Sequence, residues 1–176
     1  MKILRIATLL FSTTLLFTAC KKDGGIEAKD WTTVALTEQS VTLGGVSVSW
    51  KVPEGLTKDE DLSSDTSISL KSGEMGDPSV SLKVGGIPPT SLDRAVNSAG
   101  FLFGQGGETL EQTERDGRFV VVLANDKKNK LLVAHYIKAG ETALECVISQ
   151  MTNDGVPDFE ASVARFHEIC DSVAVE

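Results

Sequence analysis

The sequence is poor in the side chains that most enzymes use for chemistry. It contains two histidines, three cysteines and only 6% aromatic residues. No His-Glu-x-x-His, Gly-x-Ser-x-Gly or Ser-x-x-Lys pattern occurs along the chain, which excludes the common sequence signatures of a zinc-bound water or an activated serine. We therefore predict that the chain is not an enzyme and that it holds no metal and no cofactor.

The two histidines, His135 and His167, are far apart in sequence and have no partner at a ligand spacing. His135 sits inside an apolar run and is predicted to be a core or edge residue of a strand. His167 lies at the margin of a helical apolar stripe, next to Glu168, and is predicted to be half-exposed. A deep pocket that combined either histidine with a carboxylate would instead favour an enzyme.

Two other clusters have simple structural interpretations. The acidic segment 59–61, together with Asp65, offers calcium ligands, but it lacks the alternating ligands and the turn glycine of an EF-hand loop, so a solvated loop is predicted. The glycines of segment 104–107 follow a predicted helix instead of opening one. They are therefore predicted to end that helix and not to bind phosphate.

The chain also lacks a hydrophobic run of the roughly 20 residues that a membrane span requires. Its N-terminal apolar stretch, Ile6 to Phe17, is interrupted only by hydroxyl residues and follows the positively charged segment 1–5. This arrangement is typical of a signal peptide. The stretch closes on Leu16-Phe17-Thr18-Ala19-Cys20, which resembles the lipobox of bacterial lipoproteins, although Phe17 stands where leucine is usual.

The lipobox resemblance implies that residues 1–19 are a signal peptide and that Cys20 is acylated; the alternatives are an ordinary secretory signal cut after Ala19 and a short buried helix. Lys21 follows the cysteine, which resembles an outer-membrane sorting signal. We therefore expect a protein of the cell envelope, attached to the outer membrane through the lipid on Cys20 and facing the periplasm. Residues 20–30 are predicted to be a polar tether and residues 31–176 a single domain.

Positive charge is scarce in the part that remains after export. Removal of Lys2 and Arg5 leaves 15 basic against 25 acidic side chains, a formal charge of −10. An acidic balance of this size argues against nucleic acid as a partner.

Cys146 and Cys170 are the only cysteines left once Cys20 carries lipid. Disulfides form and persist in exported proteins, so the two are predicted to pair; the alternative is two buried free thiols.

Hydrophobic periodicity predicts an α+β fold. Alternating apolar and polar residues flank Gly44-Gly45, which predicts a hairpin, and Asp116-Gly117 predicts a second one. Residues 119–123, 131–134 and 136–137 are apolar on both faces, so these strands must be covered on both sides of an antiparallel sheet.

Two helices are predicted to provide that cover. The first begins near Thr90, with Asp93 three residues later, and its apolar positions run from Leu92 to Leu102. The second follows Pro157. It carries an amphipathic stripe of Phe159, Val163, Phe166, Cys170 and Val173.

The order of these elements resembles a known family. The chain contains, in order, a strand ending in Val52-Pro53-Glu54-Gly55, a polar loop, two strands, a helix, an Asp-Gly hairpin, two strands and a C-terminal helix. This order is similar to that of the PsbP-like fold, in particular to that of the DcrB-type envelope lipoproteins. The resemblance implies an α/β/α sandwich, with helices on the faces of an antiparallel sheet, and a non-enzymatic binding or adaptor module whose partner is a protein. The alternative function is an immunity or inhibitor lipoprotein that neutralises a periplasmic toxin or wall hydrolase.

Overall fold

The computed structural model describes residues 30–176. The predicted signal peptide, Cys20 and most of the predicted tether lie outside the described residues. The described chain forms ten strands and two helices. In chain order these are β1 (Leu36–Leu43), β2 (Val46–Pro53), β3 (Thr57–Lys58), β4 (Ser67–Lys71), β5 (Ser79–Val84), α1 (Leu92–Phe103), β6 (Glu108–Arg115), β7 (Arg118–Ala124), β8 (Lys130–Ala139), β9 (Thr142–Met151), α2 (Phe159–Asp171) and β10 (Ala174–Val175).

The strands form two antiparallel sheets where the sequence predicted one. The larger sheet has seven strands in the order β3-β4-β5-β9-β8-β7-β6, and the smaller has three in the order β1-β2-β10. Both predicted two-residue hairpins are present. Gly44 and Gly45 have φ angles of 56° and 82°, and Asp116 and Gly117 have φ angles of 50° and 72°, as type I′ turns require.

The long strands of the seven-stranded sheet begin and end at two opposite ends, the Lys130 end and the Arg118 end. The Lys130 end holds the terminal residues Lys71, Ser79, Met151, Lys130, Ala124 and Glu108 of its long strands, and the Arg118 end holds their opposite termini Ser67, Val84, Thr142, Ala139, Arg118 and Arg115. The described chain enters at the Lys130 end, because Trp31 Nε1 donates a 2.9 Å hydrogen bond to Asp77 in the β4–β5 turn.

The central strands are covered on both faces, as their composition predicted. On one face, α1 buries Ala95, Ala99 and Phe103 against β7 and β8. On the other face, α2 and the three-stranded sheet share a second core, to which Trp50 of β2 and Phe166 of α2 contribute fully buried rings. The antiparallel α+β architecture with helices on its faces is therefore confirmed.

Helix α1 differs in detail from the sequence prediction. Its N-cap is Ser91, whose hydroxyl accepts a hydrogen bond from the Arg94 amide, and not Thr90. The predicted apolar stripe ended at Leu102, yet Leu102 is exposed and Phe103 is buried instead. The buried positions 95, 99 and 103 are spaced by four residues, so the buried face is narrower than the spacing of apolar residues indicated.

Neither helix of the described residues is long and apolar enough to cross a membrane.

Candidate functional site

The site begins with His135, in the middle of β8. Its ring is fully buried, and its backbone neighbours across the sheet are Val120 on β7 and Cys146 on β9. His135 shares a strand face with Val133 and Ile137, which point into the core beneath α2. The sequence prediction of a core histidine is therefore correct in position.

The structure brings the two histidines into contact. His167, which projects from α2, places its Nδ1 2.9 Å from Nε2 of His135. One of these nitrogens must donate a proton and the other accept it, so the contact requires that the two facing nitrogens carry one hydrogen between them. A pair protonated on all four nitrogens would lose the contact.

A carboxylate stands at each end of the histidine pair. Asp171 Oδ1 lies 3.3 Å from His135 Nδ1, and Glu111 Oε2 lies 3.3 Å from His167 Nε2. These are ion-pair distances, but neither outer nitrogen has a hydrogen-bond partner among the described residues. The result is a row of four titratable groups that connects α2, β8 and β6.

Two arginines close the cluster at the Arg118 end of the sheet. Arg115 and Arg118 contact Asp171 at 3.3 Å and 3.6 Å, and Arg118 also donates a 3.0 Å hydrogen bond to the carbonyl oxygen of Cys170. Arg115 and Asp171 are 42% and 46% exposed at the side chain. We call His135, His167, Glu111, Asp171, Arg115 and Arg118 the histidine cluster.

Burial determines the protonation state of the histidine pair. Desolvation, followed by the charges of His167, Arg115 and Arg118, lowers the pKa of His135 from 6.5 to about 3. Desolvation also lowers the pKa of His167, although the nearby Glu111 carboxylate opposes that shift. Both rings are therefore neutral at pH 7.

The accessible part of the histidine cluster is shallow. A cavity of about 210 Å³ is lined by Arg115, Asp116, Arg118 and Asp171, and neither histidine lines it. The cavity thus offers a charged surface at the Arg118 end of the sheet.

A disulfide lies directly beside the histidine pair. Cys146 and Cys170 are both fully buried, and their sulfurs are at disulfide distance with Cα atoms 5.6 Å apart. Cys146 is the cross-strand partner of His135, and Cys170 lies three residues after His167 on α2. The bridge therefore fixes α2 to β9 at the point where α2 delivers His167 to His135.

The remaining predicted candidates have structural partners. Asp59 is buried and pairs with Lys71 at 2.6 Å. No group of three or more His, Cys, Asp or Glu side chains within residues 30–176 is arranged to hold a metal ion. Gly104 ends α1 with a φ angle of 86°, and its amide bonds to the carbonyl oxygen of Gly100.

A larger groove of about 310 Å³ lies between the β1–β2 hairpin and the loop before β4. Several of its polar groups are already paired, since the Gly44 amide donates to the Asp65 carbonyl at 2.7 Å and the hydroxyls of Ser64 and Ser67 are 2.8 Å apart. The groove therefore has fewer groups available to a ligand than its size indicates.

Sequence reasoning missed the contact between the histidines, although a signal was present. The two-residue turn at Gly140-Glu141 places His135 opposite Cys146 by simple counting along the hairpin. The predicted Cys146–Cys170 pairing then brings the helix turn that carries His167 to the same place. The two inferences, taken together, would have predicted the pair.

Comparison with solved structures supports the fold. The Ran-binding protein Mog1p of Saccharomyces cerevisiae superimposes with a TM-score of 0.57 at 14% identity, over 80% of this chain and 96% of that chain. The cyanobacterial PsbP (CyanoP) of Synechocystis superimposes with a TM-score of 0.55 at 16% identity, over 89% of this chain and 99% of that chain. This chain has the PsbP-like and Mog1-like fold. No protein-family model and no curated protein sequence matches it.

Proposed function

We propose that the protein is a lipid-anchored module of the bacterial cell envelope that binds a protein partner and catalyses no reaction. One observation carries the binding part of this proposal. The histidine cluster reaches the surface at the shallow cavity between Arg115, Arg118 and Asp171, while His135 is fully buried. Arginines on a shallow, half-exposed surface suit contact with a partner protein better than turnover of a small substrate.

The fold supports the binding part of this proposal. Mog1p is described as a Ran-binding protein, so the fold can present a surface to a protein partner. At 14% identity, the likeness extends to the architecture and not to the identity of the partner. The proposed binding surface therefore rests on this chain's own residues, Arg115, Arg118 and Asp171.

The anchor part of the proposal comes from the sequence. The charged segment 1–5, the apolar segment 6–17 and Ala19-Cys20 together favour a lipoprotein signal, and Lys21 favours the outer membrane. The element order that resembles the DcrB-type envelope lipoproteins supports the same compartment. Two or three acyl chains on Cys20 would hold the protein stably, because a single chain gives only marginal binding.

Metabolic labelling with palmitate tests the anchor. The wild-type chain should incorporate the label, and the Cys20→Ala variant should not. Ser12→Ala, which also removes a side-chain group from the predicted signal segment but leaves the cysteine, is the matched control and should be labelled like the wild type. Equal labelling of the wild type and Cys20→Ala would refute acylation at Cys20.

Photo-crosslinking tests the binding surface. A photoreactive residue in place of Asp116, at the hairpin tip between the two arginines, should give a discrete protein adduct in intact cells. The same residue in place of Asp126, an exposed tip at the Lys130 end, is the control and should not give that adduct. Arg115→Glu should abolish the adduct at position 116. An adduct that survives this charge reversal would move the binding site elsewhere.

A further inference from the structure

The exposed apolar side chains of the described residues are unevenly distributed. Eight large hydrophobic side chains are exposed within residues 30–176: Leu62, Met75, Ile87, Phe101, Leu102, Leu110, Met151 and Val175. Five of them, Met75, Phe101, Leu102, Leu110 and Met151, belong to elements that meet at the Lys130 end of the seven-stranded sheet. We call these five the apolar end.

Strand register and side-chain contacts show that the apolar end lies at the Lys130 end of the sheet. Met151 is the last residue of β9 and lies opposite Lys130. Leu110 occupies the irregularity near the start of β6, between the pairs that Thr109 and Glu111 form with β7. Both residues therefore lie at or next to the terminal cross-strand pairs of the sheet, at its Lys130 end.

The last turn of α1 reaches the same place. Lys130 Nζ bonds to the carbonyl oxygen of Phe103 and lies 4.4 Å from the centroid of its ring. Phe101 and Leu102 belong to that turn, and Phe101 is 88% exposed. An aromatic ring this exposed on a regular helix has no packing role in the protein itself.

Met75 belongs to the β4–β5 turn, which also lies at this end. The side-chain Nε2 of Gln150 donates a 3.0 Å hydrogen bond to the carbonyl oxygen of Gly76, next to Met75. The same turn contains Asp77, which accepts the hydrogen bond from Trp31. The chain therefore arrives from the tether at the end of the sheet where the five apolar side chains are exposed.

The tether length restricts which end can approach the membrane. Nine residues lie between Cys20 and Asp30 in the sequence, and the ten Cα–Cα steps that join the two span at most about 35 Å when fully extended. The ten residues of β9 alone span about 33 Å between the two ends of the sheet. A lipid on Cys20 therefore holds the Lys130 end close to the bilayer, whereas the Arg118 end can be brought there only by an almost fully extended tether.

We propose that the apolar end rests on the phospholipid bilayer, with Phe101, Leu102, Leu110, Met75 and Met151 inserted at its surface. This inference rests on the proposed lipid anchor at Cys20 and adds to it a fixed orientation, in which the histidine cluster points away from the membrane. Contact is apolar, since lysines 127, 128 and 130 at this end are offset by Glu74, Asp126 and Asp154. Zwitterionic lipid is therefore sufficient.

A fluorescent probe on the full-length, lipidated protein tests the orientation. Phe101→Cys carries an environment-sensitive dye at the apolar end. Ile87→Cys, at a position that is 94% exposed before α1 at the Arg118 end, carries the same dye as the matched control. Each protein is reconstituted into phosphatidylcholine vesicles, and vesicles that contain doxyl-labelled lipid measure contact with the acyl region.

The dye at position 101 should shift to shorter wavelength on the vesicles and be quenched at least threefold more by doxyl lipid than the dye at position 87. A dye at position 151, in Met151→Cys, should behave like the one at 101. High salt should not change the result, because the contact is apolar.

Vesicle flotation separates the two ways in which the inference can fail. Protein that floats with the vesicles while the dyes at 101 and 87 are equally accessible to water would overturn the orientation and leave the anchor intact. Protein that does not float would overturn the anchor and the orientation together. A dye at 101 that is shielded only after envelope proteins are added would make the apolar end a protein interface and overturn the membrane contact.

Discussion

His135 Nε2 lies 2.9 Å from Nδ1 of His167, a residue that is 32 positions later in the chain and on a different element. The contact joins the middle of the sheet to α2 in a place where burial disfavours the charged form of both rings. The same pair is bordered by two carboxylates at 3.3 Å. The protein thus contains a buried polar connection whose state depends on pH.

Acid should weaken the fold through His135. Its pKa is about 3 in the folded protein against 6.5 in the unfolded chain, so the unfolded state binds the proton first as the pH falls. Stability that is present above pH 6.5 is therefore lost progressively between pH 6.5 and pH 3, with a slope of at most about 1.4 kcal/mol per pH unit for this one group. Denaturant unfolding at pH 7.5, 6, 5 and 4 measures the slope.

His135→Leu supplies the control for this titration. Carboxylates away from the histidine pair titrate equally in both proteins, so the difference between the two slopes reports the titration of His135 together with its contact to His167. Parallel pH profiles for the wild type and His135→Leu would show that His135 does not titrate as its burial requires.

The disulfide should contribute measurably to stability. Cys146 and Cys170 are separated by 24 positions, and closing a loop of this size stabilises a protein by about 3.5 kcal/mol in the chain-entropy model. The double variant Cys146→Ala/Cys170→Ala should lose roughly that amount, with a further contribution from the two small cavities. Guanidinium unfolding of both proteins gives the difference.

Alkylation without reductant checks the bond itself. Intact-mass analysis of the exported wild-type protein should show no adduct on Cys146 or Cys170 unless a reductant is added before denaturation. Two alkylated thiols in the absence of reductant would rule out the bridge.

Gly107 should tolerate no larger residue. A Cβ atom at this position would lie 2.7 Å from Cδ1 of Phe103, whose ring is buried against the sheet. Gly107→Ala should therefore destabilise the protein by about 1–3 kcal/mol, since either the loop or the ring must move. Thermal unfolding monitored by circular dichroism measures the loss.

Gly100→Ala is the matched substitution with the opposite expected sign. Gly100 lies within α1, and a Cβ atom there meets nothing within 4 Å. Alanine favours the helix by about 0.8–1.0 kcal/mol over glycine, so this variant should unfold at a higher temperature than the wild type. Equal effects of the two substitutions would mean that the contact with Phe103 does not decide the outcome at Gly107.

Local patterns in the sequence predicted most of the architecture because they record burial directly. The alternation of apolar and polar residues around Trp50 indicated a strand with one buried face. The continuous apolar run 119–123 indicated a strand that is buried on both faces. Helix α2 was found from its stripe because Phe159, Phe166 and Cys170 are all buried in the structure. In each case, the decisive property belongs to neighbouring residues.

The parts that were missed depend on residues distant in sequence. The third strand of the smaller sheet is β10, two residues long, which pairs with β2 across more than 120 positions of chain. The exposure of Leu102 depends on how α1 rotates to bury Phe103. The histidine contact depends on the docking of α2, which no local periodicity encodes.

The direction of the long strands also bears on how the protein would resist mechanical load. Strands β6 to β9 run between the Lys130 end and the Arg118 end, and their hydrogen bonds lie perpendicular to that axis. Tension applied between the two ends would therefore load many of these bonds in shear at once, instead of peeling them apart one by one. The covalent link from Cys170 to Cys146 would pass such a pull from α2 directly into β9, a central strand of the sheet.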